Sequence, residues 1–145
     1  MAQTRFPLAL GAAVFFLSGS GIAVACSCLA SSPREKFEQA DAVFVGEVRR
    51  VDEHGPEFRN VRAKSARVKV LRSWKGAEKS QTLVVEGGID LGGLCGIGFK
   101  KGARYLILAH KAAGQLSTST CEGTSSLEAG KSLIAELEKI KKPER

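Results

Sequence analysis

The sequence predicts an all-β barrel or sandwich with helical additions, and its strand count fits a five-stranded, partly open Greek-key barrel. Three observations point there. Five short apolar or alternating runs are separated by Gly-rich or polar turns. None of the spacings leaves room for a crossover helix between strands. Two helix-like segments frame the strand region, one before it and one after it.

Residues 1–25 read as a secretory signal peptide. Arg5 supplies a positive start, "PLALGAAVFFL" an apolar run, and Ala23 and Ala25 the small residues that precede cleavage. Cleavage between Ala25 and Cys26 leaves one domain over residues 26–145. The apolar run is too short, and broken too soon by Ser and Gly, to span a membrane.

The first helix is signalled by Ser32 as cap, Pro33 as first residue and Glu35 completing a capping box, with Phe37 as buried contact and an end near Ala40. "AVFVGEVRRV" (42–51) is the first strand, with Gly46 marking a bulge or bend. "DEHGPEFRN" reads as a short, charged turn segment. "AKSARVKVLRSW" (63–74) alternates apolar and basic residues as a second strand. "QTLVVEG" (81–87) is the third. "GGIDLGGLCGIG" (87–98) is a glycine-rich loop carrying Cys95. "RYLILAHK" (104–111) is a strand buried on both faces, and "QLSTSTC" (115–121) is the fifth. In the last segment Ser125 and Glu128 suggest a capping box, Leu127, Leu133, Ile134, Leu137 and Ile140 an apolar stripe, and Pro143 a stop.

The formal net charge is +7. The basic residues are spread along the chain and aromatics are not interleaved with them. This reads as a solvated basic face, with weak polyanion binding the most it supports and no nucleic acid expected. The glycine-rich loop lacks the ending of a phosphate-binding loop and opens no helix. His54 and His110 stand apart from other ligand-type residues, so no metal of its own and no cofactor are expected. "STST" has no histidine placed to activate it, so nucleophilic catalysis is not expected and the chain does not read as an enzyme.

The cysteines carry the chemistry. Cys26, Cys28, Cys95 and Cys121 all follow the expected cleavage point, and an even number in an exported chain indicates two disulfides. Three pairings are open, with Cys26 to Cys28 the least favourable sterically. Cleavage would make the α-amino group of Cys26 the chain terminus, with an ordinary pKa of about 7.7–8.0 and so a neutral fraction at pH 7. Its nitrogen and the carbonyl oxygen of the same residue form a five-membered chelate suited to a zinc ion with an open position. Such a zinc would belong to a partner.

The terminal "CSC", the helix with Pro33 and Phe37, "ADAVFVGEV", "LCGIGF", "YLILA" and "GQLSTSTC" resemble the inhibitory domain of the tissue inhibitors of metalloproteinases, in a single-domain, bacterial-type version. That domain is a netrin-like oligonucleotide/oligosaccharide-binding (OB) barrel. The resemblance implies disulfides Cys26–Cys95 and Cys28–Cys121 and a zinc metalloprotease as partner. It implies chelation of the protease zinc by the amino group and carbonyl of Cys26, and entry of Ser27 into the adjoining specificity pocket. Cys28, Leu94, Cys95 and Gly96 would add protease contacts. A third cysteine usual after the helix phenylalanine is replaced by Glu38. The alternative is a non-inhibitory secreted or periplasmic OB-type module that binds a polyanion, glycan or envelope protein, lipid-anchored if Cys26 is acylated.

Overall fold

The structure is a computed structural model, described here for residues 26–91 and 95–141. The expected signal peptide, Leu94 and Pro143 lie outside the described residues.

Helix α1 (Pro33–Gln39) opens with the capping box: Ser32 N–H donates to Glu35 Oε2 at 2.7 Å, and Glu35 N–H donates to Ser32 Oγ at 3.2 Å. Six strands follow, β1 (Ala42–Phe58), β2 (Val61–Lys75), β3 (Thr82–Gly88), β4 (Arg104–Ala112), β5 (Gln115–Ser117) and β6 (Ser125–Ser126), and then helix α2 (Lys131–Ile140). Strand β1 pairs antiparallel with both β2 and β4, β2 with β3 and β4 with β5, while β3 meets β5 in parallel. These pairings close β1, β2, β3, β5 and β4 into a ring. The barrel is therefore five-stranded as expected, but closed: the β3–β5 seam, Val85 with Leu116 and Glu86 with Ser117, completes it.

Two apolar clusters explain the sequence pattern. Alternate residues of β1 and β4, Phe44, Val48, Tyr105 and Ile107, point into the barrel with Val68, Val70, Val85 and Phe99. Their neighbours Val43, Val45, Leu106 and Leu108 point outward and are covered by Leu137 of α2, by Phe37 and by Trp74. Both faces of β4 are thus buried, which is why it reads as an unbroken apolar run. Gly46 lies at a register shift of β1, where a Cβ would overlap the Val68 side chain. Trp74 is fully buried, with the Arg72 guanidinium 4.6 Å from its ring centroid and Arg72 itself paired with Glu138.

Three expectations are corrected. The segment 52–60 is not a short turn. Strands β1 and β2 run on past Val51 as a long hairpin, with Asp52 opposite Ser65 and His54 opposite Ala63. It closes at Arg59 and Asn60, whose φ angles of 49° and 63° suit a two-residue hairpin turn. Polar residues there are no obstacle, because backbone pairing needs no buried face. The fifth strand ends at Ser117; beyond it Thr118 N–H still donates to the Glu86 carbonyl at 2.8 Å, and the Thr118 hydroxyl reaches the Leu108 carbonyl at 2.5 Å. The last helix starts at Lys131 rather than near Ser125. Ser125 and Ser126 pair instead with Leu106 and Tyr105, using backbone groups of β4 that would otherwise lack partners. Gly130 takes the cap position without a side-chain hydrogen bond, and a Cβ there would press on Leu106. Leu133, Ile134, Leu137 and Ile140 keep their place in the apolar stripe, and Leu127 joins the cluster from outside the helix.

Candidate functional site

Residues Cys26 to Ser31 cross one end of the barrel outside any helix or strand. Two disulfides hold them. Cys26 is bonded to Cys95 with Cα atoms 5.3 Å apart, and Cys28 to Cys121 with Cα atoms 5.1 Å apart. Bridges spanning 69 and 93 residues join this segment to two loops that are remote in sequence.

Those loops are tied to each other. Thr120 N–H donates to the Cys95 carbonyl at 2.9 Å and the Thr120 hydroxyl to the same oxygen at 3.3 Å. Beneath them, the Thr118 and Thr124 hydroxyls meet at 2.6 Å, and Leu108 N–H donates to Thr124 Oγ1 at 2.9 Å. In the described part of the glycine-rich loop, Ile97 N–H donates to the Gly87 carbonyl at 2.8 Å. Gly96 lies so close to Ile89 that a Cβ would overlap the Ile89 carbonyl. That glycine is needed for a close backbone approach, not for phosphate binding.

The residues of this scaffold are differently exposed. Cys26 is half-buried, while Ser27 and Cys28 are exposed and Leu29 is 93% exposed. Gly96 and Cys95 are half-buried beside them. An open groove of about 320 Å³ runs along the segment, lined by Ser27, Cys28, Lys36, Gln39, His110 and Glu122 among others. Lys36 Nζ donates to the Cys121 carbonyl at 2.7 Å, so α1 is anchored to one bridge. Glu122 Oε2 accepts from Ser119 N–H at 2.6 Å, and its other oxygen lies 3.6 Å from His110 Nε2. The other histidine, His54, reaches Glu86 Oε2 at 2.7 Å on the far hairpin. Among the described residues, neither histidine joins a ligand cluster. Lys36, Thr118, Thr120 and Thr124 escaped sequence reasoning, since lone lysines and threonines in β-rich chains carry no pattern that singles them out.

The sulfur atoms form one compact group. Cys26 Sγ is 3.4 Å from Cys121 Sγ and 3.7 Å from Cys28 Sγ, and Cys121 Sγ is 3.4 Å from Cys95 Sγ. Among the described residues, this is the one set of three or more metal-ligand types whose donor atoms come together, and here all four are consumed in disulfides.

The Cys-x-Cys of Cys26 and Cys28, the closed five-stranded barrel and the two loops that receive its bridges make a family comparison meaningful. The family model for tissue inhibitor of metalloproteinase matches residues 24–130. The chain belongs to the tissue inhibitor of metalloproteinase family. Comparison with curated proteins gives no significant match. As a member of this family, the chain is a metalloproteinase inhibitor-like protein and not an enzyme, with metalloproteinases as the general class of partner. Tissue inhibitors of metalloproteinases are secreted, and among the described residues no helix is long and apolar enough to cross a membrane. The match ends at residue 130, one residue before α2 begins, so the helix that covers Leu106 and Leu108 lies beyond the matched region.

Proposed function

We propose that the chain inhibits a zinc metalloprotease by chelating its catalytic zinc with the α-amino nitrogen and carbonyl oxygen of Cys26, once cleavage after Ala25 has freed that amine. Ser27 enters the pocket beside the protease zinc, and Cys28, Cys95, Gly96 and Leu94 contribute to the contact surface. One observation supports this reading above others: a terminal segment with an exposed Ser27 is cross-linked on both sides, at Cys26 and at Cys28, to the barrel. Such a segment has little conformational freedom left to lose on docking, and rigid presentation is what a two-point chelate requires. An amine that is neutral when bound and a carbonyl oxygen together fill the open position that a catalytic zinc keeps for water.

The test is one extra residue in front of Cys26. The added peptide bond converts the amine to an amide and removes its lone pair, while the barrel and both disulfides stay as they are. Inhibition of a panel of zinc metalloproteases should disappear with the thermal midpoint unchanged. Equal inhibition by the extended and unextended chains would overturn the chelation.

A further inference from the structure

We propose that the outer face of the barrel where β4, β1 and β2 lie side by side binds a linear anionic polysaccharide, one carrying carboxylate or sulfate groups along its length. The site shares no residue with the surface proposed for the protease and does not depend on it. In the sequence its residues fall in three separate segments, 46–52, 65–69 and 100–104. The fold brings them together. Strand pairing sets Glu47 opposite both Lys69 and Arg104, and Arg50 opposite Arg67. The turn that carries Lys100 and Lys101 is tied to β1: Gly102 N–H donates to the Val48 carbonyl at 2.8 Å, and Val48 N–H to the Ala103 carbonyl at 2.9 Å.

The three segments hold seven lysines and arginines and two carboxylates, Glu47 and Asp52. Seven cations against two anions leave a net charge of +5, in a chain whose formal net charge is +7. Each carboxylate is shared between two guanidinium groups. Glu47 lies 3.1 Å from Arg49 Nη1 and 3.5 Å from Arg104 Nε, and Asp52 lies 2.6 Å from Arg50 Nε and 3.8 Å from Arg67 Nε. All four arginines are more than half exposed, so most of their N–H donors face solvent and stay open to a further anion. Like charges set opposite each other, as Arg50 and Arg67 are, weaken a sheet. Around α2 the signs are mixed instead, with Lys131 beside Glu128, Lys139 beside Glu136 and Arg72 beside Glu138.

The chemistry of this band selects its occupant. Protein interfaces centre on apolar or aromatic anchors, and the large exposed hydrophobic residue paired with the band is a single valine, Val84 opposite Arg67. The three segments contain no aromatic residue, so nothing is offered to stack on bases or to insert into a bilayer interface. The outside of a closed barrel is convex, and a flat membrane would meet only part of the band. A chain can follow it from Arg104 across β1 to Arg67, and each sulfate or carboxylate along that chain can take a guanidinium fork in bidentate fashion.

The experiment uses the exported chain with both disulfides intact and measures, at physiological salt, its binding to labelled dextran sulfate and polygalacturonate. Neutral dextran, duplex DNA and phosphatidylglycerol vesicles are the comparisons. The expected result is saturable binding of at least one anionic polysaccharide, tighter than of DNA or vesicles, absent for neutral dextran and weakening as salt rises. Arg49→Gln, Arg67→Gln and Arg104→Gln together should weaken it by about tenfold or more. Arg34→Gln, Lys131→Gln and Lys139→Gln, which remove the same charge from the two helices, should change it by less than about twofold. Lys69→Gln breaks none of the four ion pairs above and should weaken binding by about threefold, with the near-ultraviolet circular dichroism of the parent chain. Equal losses in the two triple variants would make net charge the cause and overturn the site. So would unchanged affinity in Lys69→Gln, DNA or vesicles bound as tightly as the polysaccharides, or no binding of either polysaccharide by the parent chain.

Discussion

The Lys36 ammonium donates to the Cys121 carbonyl oxygen across 2.7 Å, joining the second turn of α1 to the loop that holds the Cys28 bridge. The contact is part-buried, and it links two segments 85 residues apart. A charge-assisted hydrogen bond of this kind contributes about 1.5–3 kcal/mol. Lys36→Met keeps most of the side-chain volume and removes the donor. It should lower stability by about that amount, read from urea denaturation, and speed amide exchange in the loop 119–123 more than in β1.

The buried hydroxyls of Thr118 and Thr124 serve the Leu108 backbone on both sides. Thr124 Oγ1 accepts from Leu108 N–H, and Thr118 Oγ1 donates to the Leu108 carbonyl at 2.5 Å. Thr124→Val leaves the Leu108 N–H without its acceptor in a site only a few per cent exposed, while the Thr118 hydroxyl keeps the Leu108 carbonyl. The expected loss is about 1–3 kcal/mol, the cost of a buried polar group left unsatisfied. Thr118→Val, Thr124→Val together should cost less than the sum of the two single changes, which a double-mutant cycle by equilibrium denaturation will measure.

The two disulfides close loops of similar length, with sequence separations of 69 and 93. In the chain-entropy treatment their contributions differ by only about 0.3 kcal/mol, each being of order 3–5 kcal/mol. Replacing Cys26 and Cys95 together by Ser, or Cys28 and Cys121 together by Ser, should therefore lower the urea midpoint by similar amounts. Their effects on protease inhibition should differ. Loss of the Cys26–Cys95 pair frees the residue proposed to meet the zinc and should remove inhibition, while loss of the other pair should weaken it.

The Glu35 carboxyl is held below its ordinary value of 4.5, first by the Ser32 backbone N–H and then by the Ser32 hydroxyl. A carboxylate with a depressed folded pKa stabilises the folded state at pH above its unfolded value. That contribution fades as pH falls through the folded pKa. Carboxyl-detected NMR should find Glu35 titrating below 4.5, and Ser32→Ala should raise it towards that value. In Ser32→Ala, stability should fall less steeply between pH 5 and pH 3 than in the parent chain.

Some of this molecule could be read directly because its determinants are local. The α1 cap depends on residues three apart, and Ser32 and Glu35 make both of its hydrogen bonds. The two-sided burial of β4 shows in an apolar run that no one-sided strand would carry. The Cys-x-Cys at Cys26 and Cys28 and its flanking motifs carry the family resemblance in the sequence alone.

What could not be read depended on partners distant in sequence. Asp52 to Phe58 look like a turn, because nothing in polar residues records that β2 continues beside them and offers its backbone groups. Ser125 and Ser126 look like the start of a helix until β4 presents unpaired groups for them to take. Lys36 and Thr120 carry no motif at all; their roles come from the crossing of the terminal segment over two remote loops.

The cysteines mark the boundary most clearly. The even number of cysteines in a chain read as exported indicates two disulfides and leaves three pairings open. The family resemblance implied one of them. Bringing all four sulfur atoms within 4.8 Å of each other required barrel closure. The β1–β4 and β3–β5 seams bring the loops bearing Cys95 and Cys121 side by side, and Thr120 locks them there. Local sequence sets which side chains are available, and the ring of strands sets their distances, because a separation across the barrel is fixed by the register of pairings and by nothing within any one segment.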